Sequence, residues 1–79
     1  MDRKKALIIT MEECSELTRA CSKILRHGDM EKYLCNLKEE MADVLAMIVT
    51  LQRDFDISDK TLELLTEARL AKMNNDKYK

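Results

Sequence analysis

The chain has very few of the residues that make turns. Among 79 residues there is one glycine and no proline, far too few for the many turns of an all-β sandwich or barrel. Glycine-rich loops that cradle phosphate need several glycines at fixed positions, and Gly28 stands alone. Aromatics are scarce, with two tyrosines and one phenylalanine, so the core falls to Leu, Ile, Met and Ala, mostly good helix formers. No excess of either charge exists: 14 basic and 15 acidic side chains leave a net charge of −1. Nothing in that balance steers the chain to nucleic acid or to a membrane surface, and Lys77-Tyr78-Lys79 is too short for a nucleic-acid patch. Long apolar runs are missing as well. Ala6-Leu-Ile-Ile9 follows three basic residues but has four members, against the roughly 7–15 of a secretory signal. No stretch approaches membrane-spanning length. The three cysteines (Cys14, Cys21, Cys35) are odd in number and lack a C-x-x-C pairing. They read as reduced, buried, small apolar residues of a cytosolic protein, and a zinc site combining them with His27 lacks suitable spacing.

What remains is helical. An apolar content of 46% excludes disorder, and the expectation is one all-α domain over residues 1–79. Asp2 caps a first helix of about residues 3–26, and Gly28 supplies its left-handed C′ position. Asp29 is the expected N-cap of a second helix over about residues 30–54. Asp54-Phe-Asp-Ile57 breaks the pattern, Ser58 caps a third helix, and Asn74-Asn-Asp76 ends it near residue 73, leaving a polar tail. Between Met41 and Leu51, nine of eleven residues are apolar; a helix apolar all round is buried all round. The first and third helices of one chain cover it only in part. A chain this short buries only about 60% of its unfolded surface. The expected architecture is therefore a three-helix protomer that assembles into a homo-oligomeric bundle, a homodimer or homotetramer, with the second helix at the centre.

Winding the first helix at about 100° per residue gathers Leu7, Met11, Cys14, Leu17, Ala20, Cys21, Ile24 and Leu25 on one broad arc. Glu13 falls inside that arc, and Glu16 lies just beyond its edge. On the second helix Glu40 lands among Val44 and Met47, with Asp43 at the border. Both pairs have i, i+3 spacing, so antiparallel packing of the two helices brings four carboxylates toward one volume. Unpaired carboxylates at an interface are costly unless they protonate or meet a cation. Four oxygen anions suit a hard divalent ion, Mg2+ or Mn2+. The competing explanation is a charged helix surface, where Arg19 or Lys23 partners Glu16 at short helical spacing.

The spacing resembles a known family. Glu12-Glu13-Cys-Ser-Glu16, 23 intervening residues, then Glu40-Met-Ala-Asp43, is similar to the EExxE…ExxD pattern of the MazG-like nucleoside triphosphate pyrophosphohydrolases. Glu12 to Leu17 with Ala20 to Gly28 resembles the first helix of the small, often phage-encoded members, and Leu37 to Leu45 resembles their second. The resemblance implies an all-α, oligomeric, cytoplasmic enzyme that cleaves nucleoside or deoxynucleoside triphosphates to monophosphate and pyrophosphate with Mg2+, Mn2+ being a substitute. It implies Glu13, Glu16, Glu40 and Asp43 as metal ligands, with Glu12 beside them as a further ligand or as the group orienting the attacking water. Lys23 and Arg26 resemble phosphate-contacting positions, and Lys72 and Asn75 resemble a lysine–asparagine pair that helps hold the triphosphate.

The residues fit that chemistry in their own right. Lys23 lies two turns beyond Glu16 on nearly the same face, within reach of phosphates held at a metal there. Arg26 offers bidentate contact if it points inward; otherwise, with His27, it complements the helix C-terminal dipole. Met11, Met41, Met47, Tyr33 and Phe55 read as packing residues. The rival from another class is a non-catalytic helical dimerisation module whose acids bind a partner or a structural ion.

Overall fold

The computed structural model describes residues 1–77. Three helices, α1 (Arg3–His27), α2 (Glu31–Asp54) and α3 (Asp59–Lys72), are followed by a π-helical turn, Met73–Lys77. No strand occurs among the described residues. Local chemistry sets most boundaries. The Asp2 carboxylate accepts from the Lys5 N–H at 3.0 Å and caps α1. Gly28, at φ 88°, closes that helix by donating its N–H to the Ile24 carbonyl at 2.8 Å. Ser58 Oγ accepts from the Thr61 N–H at 3.1 Å and starts α3. Between α2 and α3 the chain turns through Asp56 at φ 55°, a left-handed conformation that aspartate tolerates.

Two boundaries differ from expectation. α2 is preceded by Met30, which has no side-chain cap, rather than by Asp29. Met30 is extended, so α2 begins at Glu31 and Asp29 sits one residue too early; the Met30 carbonyl receives the first helical bonds, from Tyr33 and Leu34. At the far end, the helix does not stop at Asn74-Asn75-Asp76 but widens into the π turn. The Met73 N–H donates to both the Arg69 and Leu70 carbonyls. With no glycine or proline there, asparagine's weak helix propensity does not end the coil. Tyr78 and Lys79, part of the expected polar tail, lie outside the described residues.

α1 and α2 form an antiparallel hairpin. At one end Arg3 Nε donates to the Asp54 carbonyl at 2.8 Å, and its guanidinium lies 4.9 Å from the centre of the Phe55 ring. At the other, His27 and Tyr33 stack with ring centres 5.2 Å apart. α3 is tied to the hairpin at the elbow, where Gln52 donates to Asp59 Oδ1 at 2.8 Å and Ile48, Leu51, Ile57 and Leu62 line an apolar notch. Beyond that it has almost no contact with α1 or α2, so it does not cover α2 as the sequence suggested. Its leucines, at 62, 64, 65 and 70, are spread round the helix and present no single stripe to dock.

Burial within the protomer is slight. Among the described residues only Ala6, Ala20 and Met47 are buried hydrophobics, while Met11, Leu25, Met41 and Leu45 are exposed. All three cysteines are exposed rather than buried. The apolar arcs are wider than one neighbouring helix can cover, so half of each is left open.

Candidate metal centre

Ala6, Glu13 and Ala20 are spaced seven residues apart and share the face of α1 that meets α2. The two alanines are fully buried. Their small side chains let the helices approach closely, which presses the longer Glu13 side chain against the opposing helix. There it meets Glu40, one heptad before the buried Met47, and Asp43. One carboxylate oxygen from each of Glu13, Glu40 and Asp43 lies within 4.8 Å of the other two.

This crowding is visible in Glu13, which is half-buried. Its pKa is raised above the usual 4.5, chiefly by partial burial, then by the Asp43 and Glu40 charges, a hydrogen bond with Asp43, and the charge of Glu16. No lysine or arginine pairs with the trio: the one salt bridge among the described residues is Arg19–Glu16, at 3.3 Å.

The remaining expected site residues are distributed as follows. Glu16, expected as a fourth member of the cluster, is turned to Arg19 on its own helix. It is exposed, and it acts on Glu13 through its charge without joining the close-packed oxygens. Glu12 is exposed beside the cluster, one residue and about 100° round from Glu13. Lys23 is half-buried and donates from Nζ to Asn36 Oδ1 at 3.5 Å across the hairpin. Arg26 does not point inward; its Nε donates to the Ser22 carbonyl at 3.4 Å on the same helix. Lys72, the last residue of α3, and Asn75, in the π turn, are both exposed, on a segment that the protomer does not bring to the cluster.

Asn36 is the site neighbour that the sequence reading passed over. It lies four residues before Glu40 and seven before Asp43, on the same face of α2, so the winding that selected those acids also selects it. Neither His27 nor the cysteines join the acidic group.

The donor set fits a hard cation. Oxygens around one Mg2+ stand about 3–4 Å apart, given metal–oxygen bonds of about 2.1 Å. A trio already within 4.8 Å needs only small side-chain rotations to reach that spacing. Three carboxylates with no thiolate or imidazole favour Mg2+ or Mn2+ over zinc. The fold and site together define a class: an all-α hairpin whose facing helices bring together three carboxylates in a set that a divalent ion would fit.

Residues 2–75 match the family described as MazG nucleotide pyrophosphohydrolase domain. The match spans nearly the whole chain, and the chain belongs to that family of nucleotide-hydrolysing proteins. No curated protein and no solved structure is significantly similar to it. Among the described residues no helix is long and apolar enough to cross a membrane.

Proposed function

We propose that the chain hydrolyses a nucleoside or deoxynucleoside triphosphate to the monophosphate and pyrophosphate, with Mg2+ held by its carboxylates and Mn2+ as a substitute. The observation that carries this reading is the trio Glu13, Glu40 and Asp43, drawn together with no lysine or arginine paired to it among the described residues, in a chain of a nucleotide pyrophosphohydrolase family. A bound divalent ion would neutralise phosphate charge and lower the pKa of a coordinated water.

The protein's own groups take the remaining parts. Glu13, Glu40 and Asp43 are the inner ligands. Glu16 joins them when it leaves Arg19, at little cost, because an exposed pair of this kind is worth about 0–1 kcal/mol. Glu12, beside the cluster, accepts a proton from water attacking the α-phosphorus as the α–β anhydride bond breaks and pyrophosphate departs. Lys23 lies some two turns along the hairpin from Glu16, where its ammonium meets the phosphate chain. Arg26 assists only after releasing the Ser22 carbonyl. A phosphate role for Lys72 and Asn75 requires α3 of one copy to lie over the hairpin of another, so homo-oligomeric assembly belongs to this reading.

The test is a panel of nucleoside and deoxynucleoside triphosphates incubated with the protein and Mg2+. Pyrophosphate should be released rather than orthophosphate, and Glu40→Gln should lower the rate by at least about a hundredfold, in line with the loss of a key electrostatic group. No turnover of any nucleotide, or a Glu40→Gln protein as active as the parent, overturns the reading.

A further inference from the structure

Among residues 1–75, Lys23 is the one lysine or arginine that is not exposed. A cation drawn part-way out of water is usually matched by a carboxylate, and α1 and α2 carry many. Lys23 nonetheless has no acidic partner among the described residues. Its Nζ donates instead to Asn36 Oδ1 at 3.5 Å across the hairpin, and Asn36 is itself half-buried. A neutral partner has a chemical consequence. An aspartate at position 36 would hold the ammonium and cancel its charge. Asparagine, of nearly the same shape, takes one of the three N–H groups and leaves the charge and two donors free. The contact is long for a hydrogen bond, so it orients the ammonium without keeping it from a stronger acceptor. Asn36 precedes Glu40 by four residues and Asp43 by seven. That puts it on their face of α2, about 6 Å and about 10 Å from them along the axis.

We propose that Asn36 is a positioning residue: it holds the Lys23 ammonium, with its charge uncompensated, at the terminal phosphate of a nucleotide whose α-phosphate lies at the carboxylates, and the pair thereby makes the site prefer triphosphates to diphosphates. The inference rests on the hydrolase reading of the preceding section and adds a determinant of phosphate number to it. The α-phosphate takes the attack, so it belongs at the acidic trio. The far end of the phosphate chain carries the most charge, and the offset along α2 sets the ammonium toward that end. Lysine acts on phosphate as a point charge, and its effect falls with distance, so the place where the side chain is held matters. Left free, its four-carbon stem samples many rotamers and must be ordered when the nucleotide arrives, which lowers affinity by about two- to tenfold. A diphosphate ends short of the ammonium and gains little from it. Asn36 touches no reacting atom; its influence passes through Lys23.

The test measures binding, so it does not depend on turnover. The α,β-methylene triphosphate and diphosphate of one nucleoside, which resist cleavage at the α–β linkage, are titrated by calorimetry with Mg2+ into the full chain. The nucleoside is the one turned over fastest in the substrate panel, or adenosine if none is. Asn36→Ala, Asn36→Asp, Lys23→Ala and the double variant Lys23→Ala with Asn36→Ala are titrated in the same way. The parent should bind the triphosphate analogue at least about tenfold more tightly than the diphosphate, as one added charged contact implies. Asn36→Ala should weaken triphosphate binding about two- to tenfold and leave diphosphate binding nearly unchanged, which also shows that the variant is folded. Asn36→Asp keeps the acceptor but cancels the charge, and should weaken triphosphate binding at least as much. In the Lys23→Ala background, Asn36→Ala should add nothing further. A contact that merely braced the hairpin would move both analogues together. Four results overturn the role of Asn36 and leave the hydrolase reading standing: a parent that binds the two analogues equally, equal losses for both in Asn36→Ala, additive losses in the double variant, or parent-like triphosphate binding by Asn36→Asp. A parent that binds neither analogue overturns both readings. The expected binding pattern without pyrophosphate release in the substrate panel removes the reaction alone.

Discussion

Removing one carboxylate of the trio should uncouple the stability of the fold from divalent cations. The oxygens of Glu13, Glu40 and Asp43 lie within 4.8 Å of one another, and unless a cation neutralises them their mutual repulsion opposes folding. A cation that binds only the folded chain stabilises it by about 2.7 kcal/mol at a hundredfold excess over Kd. For a domain of this size that corresponds to a rise in Tm of about 10–20 °C. Asp43→Asn keeps the shape of the side chain while removing one of the three charges. If it weakens binding by about thirtyfold, the same cation concentration adds only about 0.9 kcal/mol, a rise of about 4–7 °C. Without metal the variant should melt above the parent, because one source of repulsion has gone. The assay is thermal unfolding at fixed protein concentration and near-neutral pH over Mg2+ and Mn2+ series, with Glu39→Gln, an exposed acid outside the trio, as the control. Equal cation-induced shifts in Asp43→Asn and the parent would refute the reasoning, as would a parent insensitive to millimolar cation.

Three further outcomes are expected. Glu13 has a raised pKa in the folded chain, so its contribution to metal-free stability is full below about 4.5, the unfolded value, and is lost as pH rises through the higher folded pKa; Glu13→Gln should melt progressively above the parent as pH climbs from 4.5 in chelator, and a constant gap across a pH series of melts would contradict this. Lys23→Ala, which removes the ammonium facing Asn36, should lower kcat/KM at least about tenfold, as the loss of a charged phosphate contact does, while leaving the cation-induced Tm rise intact; unchanged kinetics would remove Lys23 from the phosphate path. Gly28 has φ 88° and ψ 175° with nothing within 4 Å of an added Cβ, so Gly28→Ala should cost only backbone strain, about 1–3 kcal/mol, measured by denaturant unfolding, and a neutral result would mean that the turn readjusts freely.

The features legible in the sequence are those decided within a few residues. Asp2, Gly28 and Ser58 act on N–H and carbonyl groups three or four positions away, so the caps could be read directly. Asp29 failed because the turn after Gly28 takes one more residue than the shortest path, a choice local propensity does not fix. Helical winding also placed Glu13, Glu40 and Asp43 on facing surfaces. What it could not supply was the extent of cover. Periodicity says which residues share a face but not whether another element lies upon it. For that reason Cys14, Cys21 and Leu25 were expected to be inside, whereas one chain leaves them in solvent. Glu16 stands apart from the close-packed oxygens for another reason: its spacing from Glu13 suits the cluster, but its carboxylate is paired with Arg19 on the same helix at 3.3 Å, a contact that periodicity alone does not rank.

The crowded carboxylates and the exposed apolar side chains of the hairpin are consequences of one packing choice. Ala6 and Ala20 let α1 sit close on α2, and at that separation a leucine at position 13 would fill the contact and strengthen the protomer's small core. Glutamate there does the reverse: it buries part of a charge and faces two others. A fold designed for stability alone would not place it so. The loss falls on a protomer with little buried apolar area to offset it, and in the function proposed above both remedies would come from outside the single chain: a cation against the acids, and other copies against the exposed apolar residues. Because the two remedies act on the same pair of helices, each should favour the other. A cation that relieves repulsion at Glu13 would fix the separation of α1 and α2 and so pre-order the apolar side chains they expose; by reciprocity, association should tighten cation binding. Diluting the protein at constant Mn2+ should therefore lower its apparent cation affinity, and an affinity independent of protein concentration across the dissociation range would show that the two remedies are uncoupled.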